Sequence, residues 1–98
     1  MFETLIQKLQ EDKYLTLETT PQHEPSMHNI IERIKKFKLQ DRVDGFSCTD
    51  NPLAKLKYNA LFASLKLQME FKKPVIATMS MRDRNKIALQ SDLMAAND

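Results

Sequence analysis

The sequence predicts a mixed α/β domain built on a parallel sheet, and three observations predict it. Short runs of strand character alternate with longer segments in which apolar residues recur at helical spacing. Each strand-like run is followed by a polar or proline-bearing loop and then by a helix, three times over. Helices of that length carry the chain back to the same end of the sheet, which requires the strands to pair in parallel.

The first element is "FETLIQKLQE", where Phe2, Leu5, Ile6 and Leu9 share one helical face and Lys8 and Glu11 lie outside it. A short amphipathic helix therefore precedes the sheet. "YLTLET" (14–19) is rich in Tyr, Leu and Thr and is stopped by the prolines of "TPQHEP", so it reads as a strand feeding a loop. Ser26 is placed to cap the next helix, in which Met27, Ile30, Ile31, Ile34 and Phe37 form the apolar stripe and the lysines of "KKFK" suit the negative end of the helix dipole.

The second unit starts with "VDGFSC" (43–48), a strand holding the only glycine, and continues through the turn and cap signal "TDNP" (49–52). A long helix is expected from Leu53 to about Phe71, with Leu56, Ala60, Ala63 and Leu67, and Leu61, Leu65 and Met69, making a broad buried stripe. In the third unit, "PVIATM" (74–79) has the continuous apolar character of a strand covered on both faces. "SMRDRN" then leads into a helix carrying Ile87, Leu89, Leu93 and Met94. Three parallel strands leave two open edges, which implies either that residues 1–98 are an N-terminal piece of a longer domain or that a second copy closes the sheet.

Composition narrows the class of function. At 98 residues the chain holds one small domain, and 42% hydrophobic against 29% charged residues, with a mean hydropathy of −0.48, is the balance of a soluble globular protein. No apolar run approaches the roughly 18 residues of a membrane span, and the acidic N-terminus lacks the features of a secretory signal, so the expected location is cytoplasmic with no membrane partner. Fifteen basic residues are interleaved with thirteen acidic ones for a net charge of +2, which disfavours a nucleic-acid partner. The single cysteine, Cys48, excludes an internal disulfide and a Cys-rich metal site. His23 and His28 fit no common metal-ligand spacing, so no metal is expected. With Gly45 alone, neither a dinucleotide fingerprint nor a P-loop is present.

Right-handed crossovers put all three strand-to-helix loops, "ETTPQHEP", "CTDNP" and "SMRDRN", on one side of the sheet, the side where parallel α/β folds bind ligands. Glu18, at the end of the first strand, is the candidate general acid there, since a partly dry pocket would raise its pKa; a solvated strand-end carboxylate is the alternative. Thr49 offers a hydroxyl, while Asp50 and Asn51 read as helix caps that could also present free N–H groups to an anion. Asp83 or Asn85 can cap the last helix. Arg82 and Arg84 oppose its dipole there and so need a partner: Asp83, Asp92 or a ligand carboxylate or phosphate.

Taken together, "LETTP" after strand one, "CTDNPLAKLK" after strand two and "MRDRNKIALQSDLMAA" after strand three resemble the methylenetetrahydrofolate reductase family. The similarity is to the branch in which "TDN" and "CRDRN..ALQSDL" recur, which includes reductase modules fused to homocysteine methyltransferases, and it covers the whole chain in the right order. The resemblance implies a TIM (βα)8 barrel, of which residues 1–98 would be the first three βα units preceded by a short helix. It implies FAD as cofactor, NADH or NADPH as reductant, and hydride delivery to 5,10-methylenetetrahydrofolate to give 5-methyltetrahydrofolate.

By the same resemblance Glu18 matches the family's acidic residue after strand one, which helps open the folate ring. Thr49 matches the threonine near flavin and nicotinamide, and Asp50 and Thr78 complete the cofactor-binding set. The chain departs from the family at three places: Pro21-Gln22 where two prolines are usual, Met81 where cysteine is usual, and Thr78 where the best-known reductases carry a flavin-contacting histidine. The implied partners are the folate, the remainder of the barrel or a second copy in a homo-oligomer, and the 98 residues alone are expected to be inactive. The competing reading is a non-catalytic α/β module that self-associates through its open sheet edges.

Overall fold

A computed structural model describes residues 1–11 and 13–98. Helix α1 (Phe2–Gln10) precedes strand β1 (Thr16–Thr19), helix α2 (His28–Lys36), strand β2 (Gly45–Cys48), helix α3 (Ala60–Phe71), strand β3 (Val75–Ala77) and helix α4 (Lys86–Asn97). The strands form one parallel sheet in the order β1-β2-β3. The expected alternation, the parallel pairing and the short leading helix are all present.

Register decides which side chains share a face. Leu17, Phe46 and Val75 stand side by side across the sheet, as do Glu18, Ser47 and Ile76 one position on. Because strand side chains alternate, these two rows lie on opposite faces. The face carrying Phe46 and Cys48 is packed under α2 and α3, and both residues are completely buried with Met27, Ile34, Ala60, Ala63 and Leu67. Phe46 stacks against Phe71 with ring centroids 5.2 Å apart and planes tilted by 33°. A side chain as large as Phe46 removed from water contributes about 2–3 kcal/mol, so this cluster carries much of the stability of so small a domain.

The opposite face has no layer over it. Ile76 is 47% exposed, which corrects the expectation that the third strand is covered on both sides. Three of the four apolar residues expected on α4 are likewise uncovered: Ile87 is 78% exposed, Leu93 and Met94 are exposed, Leu89 is half-buried, and the helix fully buries no residue. A continuous apolar run identified β3 and helical spacing identified α4, but such patterns report an apolar face and not what lies against it.

The start of α3 is also corrected. The expected helix from Leu53 does not form, because Asn51, Leu53 and Ala54 have φ values of 43°, 59° and 58° in the left-handed region. A short 3₁₀ turn at Pro52–Ala54 replaces it. The Asn51 side chain does not cap a helix. Its Oδ1 accepts the Lys57 N–H at 2.7 Å, and the Tyr58 N–H donates to the Gln22 carbonyl at 2.8 Å, pinning this loop against the one after β1. The true cap is Asn59, which accepts from the Phe62 N–H at 3.0 Å. Asn85 caps α4 in the same way through the Ala88 N–H at 2.8 Å, and Ser26 accepts the His28 N–H at the start of α2.

At the amino ends of the strands side chains add to the backbone bonds that fasten the chain. Asp44 takes the Leu15 N–H on its carboxylate at 2.9 Å and returns its own N–H to the Leu15 carbonyl, which is why β1 begins two residues later than its composition suggests. The Lys73 ammonium donates to the carbonyls of Gln40 and Val43. Gly45 is required here for space. A Cβ at this position would collide with the Tyr14 hydroxyl and the Pro74 carbonyl oxygen.

Candidate functional site

The carboxyl ends of the three strands continue the register by one further row. The Thr49 N–H donates to the Thr19 carbonyl at 3.2 Å and the Thr78 N–H to the Cys48 carbonyl at 3.1 Å, so Thr20, Thr49 and Thr78 stand abreast just past the strands. By alternation they share the uncovered face with Glu18, Ser47 and Ile76. The Thr49 hydroxyl donates to Thr20 Oγ1 at 3.1 Å, and the Thr78 hydroxyl donates to the Cys48 carbonyl at 2.7 Å. A row of three hydroxyls thus borders the open face, with the Glu18 carboxylate about 7 Å back along β1.

Glu18 is exposed. It borders a cleft between β1 and α2 that is also lined by Leu17, Thr20, Ile30 and Ile34. The dry pocket expected around this carboxylate is not formed by these residues, because the face on which Glu18 stands has no covering layer.

Asp50, one residue past Thr49, turns away from the row and is 8% exposed. Its Oδ2 accepts the Ser80 N–H at 2.7 Å and pairs with Arg84, and its Oδ1 accepts from Asn51 Nδ2 at 3.0 Å. Burial is the largest single influence on this carboxyl and pushes its pKa up. The hydrogen bond from Arg84, the Ser80 N–H, the Arg84 charge and the Asn51 amide together outweigh it and hold the pKa below the usual carboxylate value. The same hydrogen bond to Asp50 is the main cause that raises the pKa of Arg84. Asp50 is therefore a charged group held inside the protein, directed at Arg84 and not at the open face.

Arg84 reaches three segments. Its Nη1 also donates to the Ser80 carbonyl at 2.8 Å, and its Nε donates to Asp92 of α4 at 3.0 Å. Arg82 remains at the surface, where it pairs with Asp83 and donates to the Asn51 carbonyl at 3.2 Å. The two arginines find the expected partners, Asp83 and Asp92, while the Asp50 carboxylate and the Ser80 and Asn51 carbonyls were unforeseen.

Of the sequence-derived candidates, the fold brings Glu18, Thr49 and Thr78 to one face and one end of the sheet. Thr20 and Ser47 join them, and both were legible from alternation: Thr20 is two residues past Glu18, and Ser47 two before Thr49. Arg84 could not be read as a partner of Asp50 from sequence, because the pair spans 34 positions. Among the described residues no group of three or more His, Cys, Asp or Glu side chains is placed to hold a metal ion, and no helix is long and apolar enough to cross a membrane. Compared with family models, curated proteins and solved structures, the chain matches none.

Proposed function

We propose that this chain is the opening part of a flavin-dependent methylenetetrahydrofolate reductase, supplying the first three βα units of a (βα)8 barrel. The observation that supports the reading is the register that sets Glu18, Thr49 and Thr78 on one uncovered face at the carboxyl ends of parallel strands. In a closed barrel that face becomes the interior, and the remaining strands would supply the layer that Glu18 and Ile76 lack.

The polar row would suit a flavin: the Thr49 and Thr78 hydroxyl oxygens, whose protons go to Thr20 and to the Cys48 carbonyl, would accept from the ligand, and Ile76 would add apolar contact on the same face. Bound FAD would supply hydride transfer between NADH or NADPH and the folate. The protein's own work is narrower. In the closed barrel Glu18 would be the residue placed to pass a proton to the folate nitrogen released as the five-membered ring opens. Thr49 and Thr78 orient the ring edge, while Asp50 acts from behind by fixing the loop that carries Thr49.

Expression of the chain with its following reading frame to barrel length, about 250 residues, tests the reading. A yellow protein that oxidises NAD(P)H with a methylenetetrahydrofolate acceptor is expected. A colourless protein that also fails to bind a folate analogue overturns it.

A second reading, a non-catalytic module that self-associates, is favoured by one observation: β1 and β3 each pair on one side only. Size-exclusion chromatography of the 98-residue chain separates the cases. A concentration-dependent dimer or larger assembly supports self-association, and a monomer at all concentrations removes it.

A further inference from the structure

Arg84 bonds to three separate segments and lies outside the row of residues that would meet a ligand. Its side chain is 13% exposed, and its guanidinium joins Asp50 in the loop after β2, the Ser80 carbonyl in the loop after β3, and Asp92 on α4. Those anchors flank the site directly: Asp50 follows Thr49, and Ser80 lies two residues past Thr78. α4 itself buries no side chain in the core, so apolar packing does little to seat it.

A further element depends on the same clamp. Leu53 and Ala54 hold left-handed backbone without being glycine or asparagine, a conformation that persists only where the surroundings impose it. Asn51 is the link. Its amide donates to Asp50, its Oδ1 holds the Lys57 N–H, and its carbonyl accepts from Arg82. Releasing Asp50 from Arg84 weakens the support of Asn51, which together with the Tyr58–Gln22 backbone bond keeps segment 51–57 folded back.

We propose that Arg84 is the positioning residue of this site. By joining both loops to α4 through one planar guanidinium, it makes the arrangement of Thr49 and Thr78 conditional on α4 being seated. A lysine cannot substitute, because a single ammonium on a flexible stem cannot serve acceptors on three segments in fixed directions. The role in ligand positioning rests on the proposed flavin reading, whereas the coupling of α4 to the two loops does not.

Hydrogen–deuterium exchange resolved by peptide tests the coupling on the 98-residue chain. In Arg84→Gln and Arg84→Lys, exchange should rise about tenfold or more in segments 49–59 and 78–97 while 28–36 and 60–71 stay protected. Asp92→Asn, which keeps the Asp50 pair intact, should loosen only 86–97. Unchanged exchange at 49–59 in Arg84→Gln, uniform acceleration that includes 28–36, or full restoration by lysine would each overturn the proposal. Should Arg84→Gln not fold, Asp92→Asn decides alone, and unchanged exchange at 86–97 is the adverse result.

A titration with FAD, carried out on the barrel-length protein, reads the positioning role. Affinity should fall about tenfold in Arg84→Gln, and equal affinity counts against it. Absence of FAD binding by the unsubstituted protein defeats the flavin reading and leaves the exchange pattern to decide the coupling.

Discussion

Thr49 gives its hydroxyl proton to Thr20 at 3.1 Å, joining two loops that lie 29 positions apart in sequence. The bond sits where the ladder between β1 and β2 ends, so it extends the pairing by side chains after the backbone has stopped pairing. Thr49→Val removes the donor and keeps the shape. A loss of about 1 kcal/mol in urea unfolding is expected, and adding Thr20→Val should cost little more because both partners are then gone. Additive losses would show that the two hydroxyls do not act as a pair.

Gly45→Ala should destabilise the fold by about 2–3 kcal/mol, since the new methyl meets both the Tyr14 hydroxyl and the backbone oxygen of Pro74. Tyr14→Phe in the same chain relieves only the side-chain part. Alone, Tyr14→Phe should be neutral or stabilising in thermal melts, because the Tyr14 hydroxyl is buried without a hydrogen-bond partner.

The helix caps give a direct contrast between two asparagines. Asn59→Ala should cost about 1 kcal/mol and lower the overall helical circular dichroism by fraying α3 at Ala60, because it strips the acceptor of the Phe62 N–H. Asn51→Gly, by contrast, should be tolerated at the backbone, where φ is already 43°, yet should free the Lys57 N–H. Faster exchange at Lys57 with an unchanged helix signal is the expected signature.

Acid should act through Asp50. Its folded pKa lies below the ordinary 3.8, so its stabilising contribution is complete above that value and is lost as pH falls through the folded pKa. Melting temperature should therefore drop steeply only below about pH 4. Asp50→Asn should start lower and show a shallower acid limb. Asp50→Ala, which leaves Arg84 without its buried counter-charge, should cost about 3 kcal/mol at neutral pH. An acid limb of the same steepness in Asp50→Asn would assign the transition to other carboxylates.

The parallel sheet was legible because each strand signal is local and each is followed by a helix too long for a hairpin. Helical spacing also made Met27 and Ile34 with α2, and Ala60, Ala63 and Leu67 with α3, legible as core, although the same stripes included Phe37, Leu56, Leu65 and Met69, which are exposed. What sequence could not show was anything decided by the opposite partner. The late start of α3 depends on left-handed backbone at Leu53 and Ala54, residues with no preference for it, held by Asp50 and Asn51 of the same loop and by Gln22 of the loop after β1. The outward face of α4 and the exposure of Ile76 depend on what lies beside them. In the site, Glu18, Thr49 and Thr78 followed from counting along strands, whereas the Asp50–Arg84 pair needed the fold itself.

The strand order has a kinetic side. Joining Thr20 to Thr49, or Cys48 to Thr78, closes a loop of 29 or 30 residues, and no two strands are joined by a hairpin that would let a ladder begin cheaply. Helices α2 and α3, by comparison, form from contacts within a few residues and can do so far faster than the sheet. Folding should then show early helix signal followed by a slower step that buries Phe46. During that interval the three strand segments are exposed and unpaired, which makes the speed of helix docking, more than final stability, the property that sets how cleanly this chain folds at high concentration.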